Sequence, residues 1–405
     1  MRMSVAALII ASLGSLASVT WLCIAIATIR HRKKSVWLVE QPDASQDHDL
    51  PELAVLIAAR NEAANIGRTL KSILDQNYPD LTIIVVNDRS SDETGAIAQS
   101  LAIQDPRLRV VQVDALPVGW LGKTNALELA AHSTTATWLL LTDADVIVAP
   151  GTLRRAVVWS IAHDLDHLTV VPKFVTTTIG ERVFLMLFGL SFAVRVFTGR
   201  VDVPERSGHL GIGAFNLVRA DALRKIGGFD HIKLSVDDDN RLAEALKANG
   251  GKAGALFGVD AVSVHWQVGL NGLALGMEKN YFAILNFRIG MVILCSLAWL
   301  VVGVSPFVGL FIGSMVSRVV CTIGIFSIAS LLAVAHRQTG IGWYYVGLFP
   351  LCVLVHIYSL SRSTLLTLSK GGVNWRSNHY DLKDLRAHVQ QRDAWLNRMK
   401  DTVQR

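Results

Sequence analysis

The chain has 405 residues, of which 51% are hydrophobic and 18% are charged, and its formal net charge is +6. This composition is too apolar for an ordinary soluble enzyme and too charged for a membrane bundle alone. All four cysteines lie in apolar stretches, at positions 23, 295, 321 and 352. Their placement excludes a cysteine zinc site or a disulfide framework in the central region. That region also lacks a basic stretch with interleaved aromatic residues, so we expect no nucleic-acid partner.

Long uncharged stretches lie towards both ends of the chain. The first covers residues 3–29, and the others cover 289–317, 319–335 and 338–361. About 20 apolar residues cross the hydrocarbon core of a membrane, so one span is predicted near the N-terminus and two or three near the C-terminus. The basic cluster at residues 30–34 follows the first span and is expected to stay in the cytoplasm. We therefore expect an integral protein of a bacterial inner membrane, with a cytoplasmic central domain.

These patterns divide the chain into six predicted segments. They are an N-terminal membrane helix with its basic flank (1–34), a polar linker (35–52), a large α/β domain (53–270), an interfacial helix (271–288), a membrane region of two or three helices (289–365) and a basic tail (366–405). The apolar stretches at 183–197 and 277–287 are too short for confident spans. We expect them to lie in the membrane interface, where they would form an entrance for a lipid.

Strand and helix patterns alternate in the central region. Apolar runs predict strands at 53–59, 81–86, 109–113 and 137–141, and helical spacing predicts helices at 65–74, 96–103 and 123–131. Strands that alternate with helices of this length favour an α/β fold with a parallel sheet covered on both faces. In such sheets, ligands bind at the carboxyl ends of the strands.

Polar side chains follow three of the predicted strands. Glu62 comes after the first, Asp88 after the second, and Asp143 and Asp145 after the fourth, so they are expected along one edge of the sheet. Two carboxylates separated by one residue point to the same side of an extended chain, and Mg²⁺ or Mn²⁺, which are often shared with phosphates, prefer such oxygen ligands. The alternatives are a solvated acidic turn for the Asp-Ala-Asp stretch and a helix cap for Asp88.

Two further stretches are candidates for a site. Residues 208–215 (GHLGIGAF) are rich in glycine, which lets a backbone approach a ligand closely. Residues 237–239 are three successive aspartates before a helical pattern. Like charges so close together raise at least one carboxylate pKa, which suits a general base, whereas an acidic first turn that complements the helix dipole is the alternative.

A series of motifs carries a resemblance to a known family. The motifs are IAARNEAANIGRTLKSIL (57–74), NYPD (77–80), VVNDRSSDET (85–94), GKTNAL (122–127), LLLTDADV (139–146), GAFNLVRADALRKIGGFD (213–230) and DDDNRLAEALKANG (237–250). As one ordered series over residues 53–260, they resemble the inverting glycosyltransferases of family 2. The resemblance implies a Rossmann-like GT-A domain that binds a nucleotide sugar, here flanked by transmembrane helices.

The resemblance also implies roles for the donor-side residues. Asp145 would bind a divalent cation, Mg²⁺ or Mn²⁺, and Asp143 would contact the ribose or share the metal. Glu62, Asp88 and Lys123 would bind the nucleotide of a UDP- or GDP-linked sugar.

His265 is a weaker candidate on the donor side. It follows the last predicted strand of the central domain, and some related folds place a histidine there on the metal. A structural histidine at the membrane edge is the alternative.

The general base is implied by the helix that follows the three aspartates. The sequence L-A-x-x-L at 242–246 sets a register that aligns Asp239 with the base of the family and Asp238 with its acidic neighbour. Because Asp237 is acidic too, the register stays open by one residue. In the family, the segment with Gly211, Gly213 and Ala214 lies beside the acceptor and the sugar.

The tail carries a second resemblance. Trp375 and Arg376 begin a Trp-Arg-x-x-x-Tyr sequence that resembles the tail of membrane glycosyltransferases acting on carotenoid-type lipids, where it lies on the catalytic side. One N-terminal and three C-terminal spans would instead place this tail outside. Either residues 289–335 form a single span plus a re-entrant piece, or the tail is away from the site.

The resemblance implies transfer of one sugar to a membrane lipid, as in the hopanoid-associated, ceramide and carotenoid groups. The Gln-x-x-Arg-Trp signature of processive synthases is absent, which disfavours a polysaccharide synthase. A membrane transporter or scaffold with a cytosolic nucleotide-binding domain is the alternative from another class. Only Arg318 and Arg337 interrupt the C-terminal apolar region, and membrane sites of transport usually carry more ionisable groups.

Overall fold

The computed structural model describes residues 4–31, 37–42, 50–197, 208–376 and 378–403. The chain forms two compact units, each made of three separate stretches. A helical unit comprises Met1–Ser35, Thr176–Gly199 and Gln267–Leu382, and a sheet unit comprises Val36–Val175, Arg200–Trp266 and Lys383–Arg405. The predicted segments are contiguous, whereas the chain leaves the sheet unit after residue 175 and returns to it twice.

Eight strands form one sheet in the sheet unit. They are β1 (Leu53–Ala59), β2 (Leu81–Asp88), β3 (Leu108–Val113), β4 (Trp138–Asp143), β5 (Val146–Val148), β6 (His167–Phe174), β7 (Asn216–Arg219) and β8 (Ala253–Val264). Their order is β3-β2-β1-β4-β7-β6-β8-β5. A two-stranded hairpin of β9 (Gly372–Trp375) and β10 (Asn378–Asp381) belongs to the helical unit.

Fifteen α-helices occur in the described part of the chain. They are α1 (Val5–His31), α2 (Ile66–Leu74), α3 (Thr94–Gln104), α4 (Gly122–His132), α5 (Thr152–Ala162), α6 (Ile179–Phe197), α7 (Ala220–Lys225), α8 (Asp238–Ala248), α9 (Gly269–Gly276), α10 (Tyr281–Ile284), α11 (Ile289–Trp299), α12 (Ser305–Ile312), α13 (Met315–Thr339), α14 (Phe349–Ser369) and α15 (Leu382–Val403).

The predicted α/β class is confirmed, but the sheet is mixed. Strands β1 to β4 pair in parallel, whereas β7 runs antiparallel to β4 and β6, and β5 runs antiparallel to β8. The chain passes through the helical unit between β6 and β7, so no single crossover helix sets β7 parallel to its neighbours. The first four strands and three helices agree with their predicted bounds to within two residues, because their apolar periodicity is strong.

Four helical stretches are long and apolar enough to cross a membrane. They are Val5–His31, Ile289–Ile312, Met315–Thr339 and Trp343–Ser369. The second joins α11 and α12 through a π-helical turn at Leu300–Val304. The fourth begins with a 3₁₀ turn at Trp343–Leu348 and continues as α14.

The fourth stretch begins near the middle of the helical unit. Phe349, the first residue of α14, packs its ring 5.6 Å from that of Trp21. Trp21 is midway along α1, and its indole N–H donates to Val302 in the middle of the second stretch at 2.7 Å. In contrast, α13 passes Ser18 of α1 at Gly324 and continues for about 20 Å to its end, at 1.5 Å per residue. Residues 340–348 therefore lead the chain from the end of α13 back to the level of Trp21, midway along α1.

From this point α14 runs outwards beside the second stretch. Val353 contacts Gly303, the His356 ring lies 5.9 Å from Trp299, and Ser363 accepts a hydrogen bond from the Phe282 N–H at 3.1 Å. Helix α14 thus ends on the side where the second stretch begins. The segment that turns back lies at residues 340–369, whereas the sequence allowed either a re-entrant piece within 289–335 or a tail away from the site. We therefore predict two membrane crossings in this part of the chain, by Ile289–Ile312 and Met315–Thr339.

The two expected interfacial helices differ from the prediction. Residues 271–288 are not one helix, because Asn286 and Phe287 both have a φ of 54° in the left-handed region, which interrupts a helix. Tyr281 instead turns inwards, where its hydroxyl lies 2.5 Å from His356 Nδ1. The stretch 183–197 forms part of α6, whose Phe184 ring packs 4.6 Å from the His356 ring inside the helical unit.

We predict that the C-terminal helix faces the same side of the membrane as the sheet unit. In a cysteine-free background, Asn397→Cys on α15 and Val118→Cys on a sheet-unit loop should react with a membrane-impermeant thiol reagent from one side. Ser314→Cys, between α12 and α13, should react from the other. All three positions are exposed in the structure. Labelling of Asn397→Cys together with Ser314→Cys would contradict the re-entrant arrangement.

Candidate active site

The carboxyl ends of parallel strands bring the predicted donor-side residues to one edge of the sheet. Strand β1 is in register with β2 and with β4, pairing Ala59 with Asn87 and Ala58 with Asp143. Asp88 is the last residue of β2, and Asp143 is the last residue of β4. Ligands of such sheets bind at this edge.

A polar pocket opens at the end of β4. It is lined by Lys123, Leu127, Leu141, Thr142, Asp143, Gly213, Asn216, Asp238, Asp239 and Leu242. These residues come from β4, from the N-terminal turns of α4 and α8, and from the glycine-rich segment and the start of β7. Four of the sequence-predicted charged residues therefore converge in one place.

Lys123 lies among the carboxylates of this pocket. Its Nζ is 2.8 Å from Asp143 Oδ1 and 3.4 Å from Asp238 Oδ2. Burial alone would lower the pKa of Lys123, but the charges of Asp143, Asp238 and Asp239 raise it well above its usual value. Lys123 therefore stays protonated and holds the end of β4 and the start of α8 together.

The three successive aspartates have different surroundings. Asp237 forms an ion pair with Arg241 one turn later, at 2.9 Å, and it does not line the pocket. Asp239 lines the pocket and accepts hydrogen bonds from the backbone N–H groups of Gly213 at 2.6 Å and Asn240 at 2.7 Å. Burial and the neighbouring charge of Asp238 raise the pKa of Asp239 to about 7. The geometry thus narrows the candidate bases to Asp238 and Asp239.

The glycine-rich segment packs directly against Asp143 and Asp239. This close approach is possible because Gly211 and Gly213 have no side chains. The backbone of Gly213 accepts a hydrogen bond from the Asp143 N–H at 3.0 Å and donates one to Asp239. A Cβ at Gly213 would overlap the Asp143 carboxylate, and one at Gly211 would overlap the backbone of Asp239. Ala214 accepts a hydrogen bond from Thr142 at 2.8 Å. This segment therefore links the donor-side and base-side carboxylates.

Asp145 lies between β4 and β5, next to this pocket. Burial raises its pKa to about 7, together with the negative charges of Asp143 and Glu62. Strand β5 pairs Val146 with Val264 of β8, so Asp145 and His265 each adjoin a residue of this pair. A cation near Asp145 would relieve the repulsion between the carboxylates.

The donor set of this region fits a cation that shares its ligands with a substrate. In the part of the chain that the structure describes, no three His, Cys, Asp or Glu side chains converge as a complete metal site. Mg²⁺ is commonly held by one or two carboxylates together with substrate phosphates. Asp145 and Asp143 match this smaller protein contribution.

Asp88 is held at the edge by neighbouring arginines. It is buried and accepts hydrogen bonds from Arg89 Nε at 2.7 Å and Nη2 at 3.1 Å, while Arg60 Nη1 lies 3.8 Å away. The start of α4 is so close that a Cβ at Gly122 would overlap the Asp88 carboxylate. Asp88 is thus beside the turn that carries Lys123.

Asp92, not Asp88, stabilises the turn before α3. Its carboxylate accepts hydrogen bonds from the backbone N–H groups of Thr94 at 3.0 Å and Ala63 at 3.1 Å. The Thr94 hydroxyl in turn accepts from the backbone N–H of Glu62 at 2.7 Å. These bonds fix the loop that carries Glu62 after β1.

The predicted tail residues lie in the helical unit. Trp375 ends β9, and its ring lies 3.7 Å from Lys279 Nζ in a cation–π contact. Arg376 has a φ of 55° in the turn of the β9–β10 hairpin. Their role beside an acceptor stays a prediction.

A buried polar network near the pocket has no sequence signal. The Thr169 hydroxyl donates to the Leu210 carbonyl at 2.7 Å and lies 3.0 Å from Asn216 Oδ1, which accepts a hydrogen bond from the Ile212 N–H at 3.3 Å. The network anchors the glycine-rich segment to β6. Its partners are distant in sequence, so no local spacing marks them.

Comparison with known proteins identifies relatives of this chain. Residues 54–227 match the family model described as glycosyl transferase family 2. The chain is 29% identical over 213 residues to a beta-monoglucosyldiacylglycerol synthase from Synechocystis, which covers 51% of this chain and 42% of that protein. It is 25% identical over 231 residues to a 4,4'-diaponeurosporenoate glycosyltransferase from Staphylococcus aureus, which covers 56% of this chain and 60% of that protein. The matches thus span about half the length of these curated relatives.

Solved structures also resemble the chain. The mannosyltransferase PcManGT from Pyrobaculum calidifontis, in complex with GDP-Man and Mn²⁺, has a TM-score of 0.47 and 17% sequence identity. That match covers 96% of this chain and 97% of the other.

We predict that Gly213→Ala damages the pocket. The new methyl group would force the Asp143 carboxylate to move, and such overpacking typically costs about 1–3 kcal/mol. The melting temperature should fall, and binding of Mn²⁺ with UDP or GDP should weaken in calorimetric titrations. Gly67→Ala is the matched control, because its Cβ would be 3.4 Å from Ile97. Equal stability and binding of the two variants would contradict this role for Gly213.

Proposed function

We propose that this chain, a member of glycosyltransferase family 2, transfers a single sugar from a nucleotide donor to a membrane lipid with inversion at the anomeric carbon. The observation that carries the proposal is the convergence of Lys123, Asp143, Asp238 and Asp239 in one pocket at the carboxyl edge of the sheet. Two features support a lipid acceptor, namely the long apolar helical stretches of the helical unit and the lipids that appear in two relatives' names.

On the donor side, the nucleotide would lie along the strand ends that carry Glu62 and Asp88. Asp145 would hold a divalent cation together with Asp143, and His265 is the further candidate ligand. Such a cation stabilises the negative charge of a departing diphosphate. The positive charge of Lys123, which lies beside Asp143, would also stabilise the diphosphate.

On the acceptor side, Asp239 is the proposed general base. Its carboxylate would take the proton of the acceptor hydroxyl as that oxygen attacks the anomeric carbon and the bond to the diphosphate breaks. A base with a pKa near the working pH is well suited to this step. Burial and the charge of Asp238 raise that pKa, and the Gly213 N–H orients the carboxylate.

We further propose that the sheet unit faces the cytoplasm of a bacterial cell. The first apolar helix ends in Arg30 and His31, and the sequence continues with further basic residues. Such a cluster is retained on the cytoplasmic side.

The main test is sugar transfer by membranes that contain the full chain. With a panel of labelled UDP- and GDP-sugars, the wild type should form a lipid product that carries one sugar, and a chelator should stop the reaction. Asp239→Asn should lower transfer by roughly 10²–10⁴-fold, as loss of a general base does, while donor binding persists. Asp237→Asn is the matched control and should keep most of the transfer activity per folded molecule, because Asp237 pairs with Arg241 and does not line the pocket.

Each alternative function has its own result in this assay. A processive synthase would give products with several sugars, and a transporter or scaffold would cleave no donor. Equal losses in Asp237→Asn and Asp239→Asn would contradict the assignment of the base.

We predict that activity falls as the pH drops below about 7. The carboxylate form of Asp239 is lost through its raised pKa, and an acid cannot accept the proton of the hydroxyl. The measurement is kcat/KM against pH. Asp238→Asn removes the neighbouring negative charge, so its acidic limb should move to lower pH. An acidic limb near 4, where aspartates ordinarily titrate, would contradict the prediction.

A further inference from the structure

The C-terminal helix α15 is part of the core of the sheet unit. Among its buried side chains are Leu385, Trp395 and Leu396, which are 1%, 7% and 5% exposed. Trp395 and Leu396 join the same apolar cluster as Leu242 and Leu246 of α8. Helices α8 and α15 therefore contribute side chains to the same apolar core.

Helix α15 also holds a short segment just before α8, residues 230–235. The ring of Trp395 stacks on that of His231, with centroids 4.3 Å apart and planes at 18°. The side chains of His388 and Ser235 approach to 3.5 Å. The segment begins with a 3₁₀ turn at Asp230–Ile232, and the side chain of Ile232 is 1% exposed.

The other side of the same segment holds the start of α4. The carbonyl oxygen of Lys233 accepts hydrogen bonds from the Leu121 N–H at 2.9 Å and the Thr124 hydroxyl at 2.7 Å. These two residues flank Lys123 in the sequence. In the other direction, Ser235 is three residues before Asp238. The segment 230–235 is therefore linked both to the turn that carries Lys123 and to the start of the helix that carries Asp238 and Asp239.

A charge contact adds to this arrangement. Arg392 of α15 is 4% exposed. Burial alone would raise the pKa of Glu244 on α8, but its hydrogen bond with Arg241 and the charge of Arg392 lower it. The charge of Arg392 on α15 thus acts on Glu244 of α8, in addition to the apolar cluster that the two helices share.

We propose that α15 positions Lys123, Asp238 and Asp239 by bracing residues 230–235, with Trp395 and His231 as positioning residues. The inference rests on the proposed function, because it concerns the geometry of the same pocket. A displacement of about 1 Å in a catalytic group can cost about a hundredfold in rate. The ammonium of Lys123 lies 2.8 Å and 3.4 Å from its two carboxylate partners, so a small shift of residues 230–235 changes both distances.

The test compares His231→Ala and Trp395→Ala with the wild type in the full-length membrane protein. Both variants should lower kcat by roughly ten- to a hundredfold and raise the donor KM several-fold, because Lys123 moves. Partial unfolding alone would lower the apparent kcat and leave KM unchanged. Trp395→Phe and His231→Phe keep an aromatic ring at the stack and should restore both parameters. Asn397→Ala is the matched control, since Asn397 is exposed on the same helix.

The outcomes separate this inference from the proposed function. If the wild type transfers no sugar, the proposed function fails and this inference fails with it. If the wild type is active and both alanine variants match Asn397→Ala in kcat and KM per folded molecule, only the positioning role is overturned. Loss of kcat in proportion to the folded fraction, with an unchanged KM and no rescue by phenylalanine, overturns it as well.

Discussion

The pocket depends on the position of a single ammonium group among three carboxylates. Asp143 ends a strand, while Asp238 and Asp239 begin a helix, and Lys123 contacts the first two of these groups. Two like charges 4 Å apart repel by about 4 kcal/mol at an effective dielectric constant of 20. The ammonium group of Lys123 offsets this repulsion between the end of β4 and the start of α8. The lysine therefore makes a concentrated acidic site compatible with a folded protein.

The backbone around the pocket is arranged to keep these charges close. Gly213 bonds to the end of β4 and to Asp239 at the same time, and Lys233 holds the start of α4 through its carbonyl group. Both contacts use main-chain atoms, which have few alternative positions once the fold is formed. The arrangement of charges in the pocket is thus a consequence of backbone geometry in the segments that contain Gly213 and Lys233.

Much of the sheet could be predicted from the sequence, because its first four strands and their helices have strong apolar periodicity. The placement of Asp88 and Asp143 along one edge of the sheet follows from the rule for parallel strand ends. The separation of Asp237 from Asp239 could not be predicted with confidence, although Arg241 at the i+4 position is a local signal for it. The network of Thr169 and Asn216 joins residues far apart in the chain, so only the folded structure reveals it.

The helical unit was less predictable for a related reason. Hydropathy measures length and apolarity, so it counts Trp343–Ser369 as one more crossing. The depth of Phe349 is set by its packing on Trp21, a contact between the two ends of the chain. Similarly, the pattern of 183–197 suggested a surface helix, but Phe184 packs against a buried histidine.

The division of the sheet unit into three stretches has a consequence for biosynthesis. Residues 383–405 belong to this unit, yet they follow all of the helical unit in the sequence. During synthesis, the strands of the sheet emerge long before the helix that completes their core. Contacts over such long sequence separations form slowly, since loop closure must come first. The nascent sheet unit therefore stays incomplete until residues 383–403 have emerged from the ribosome.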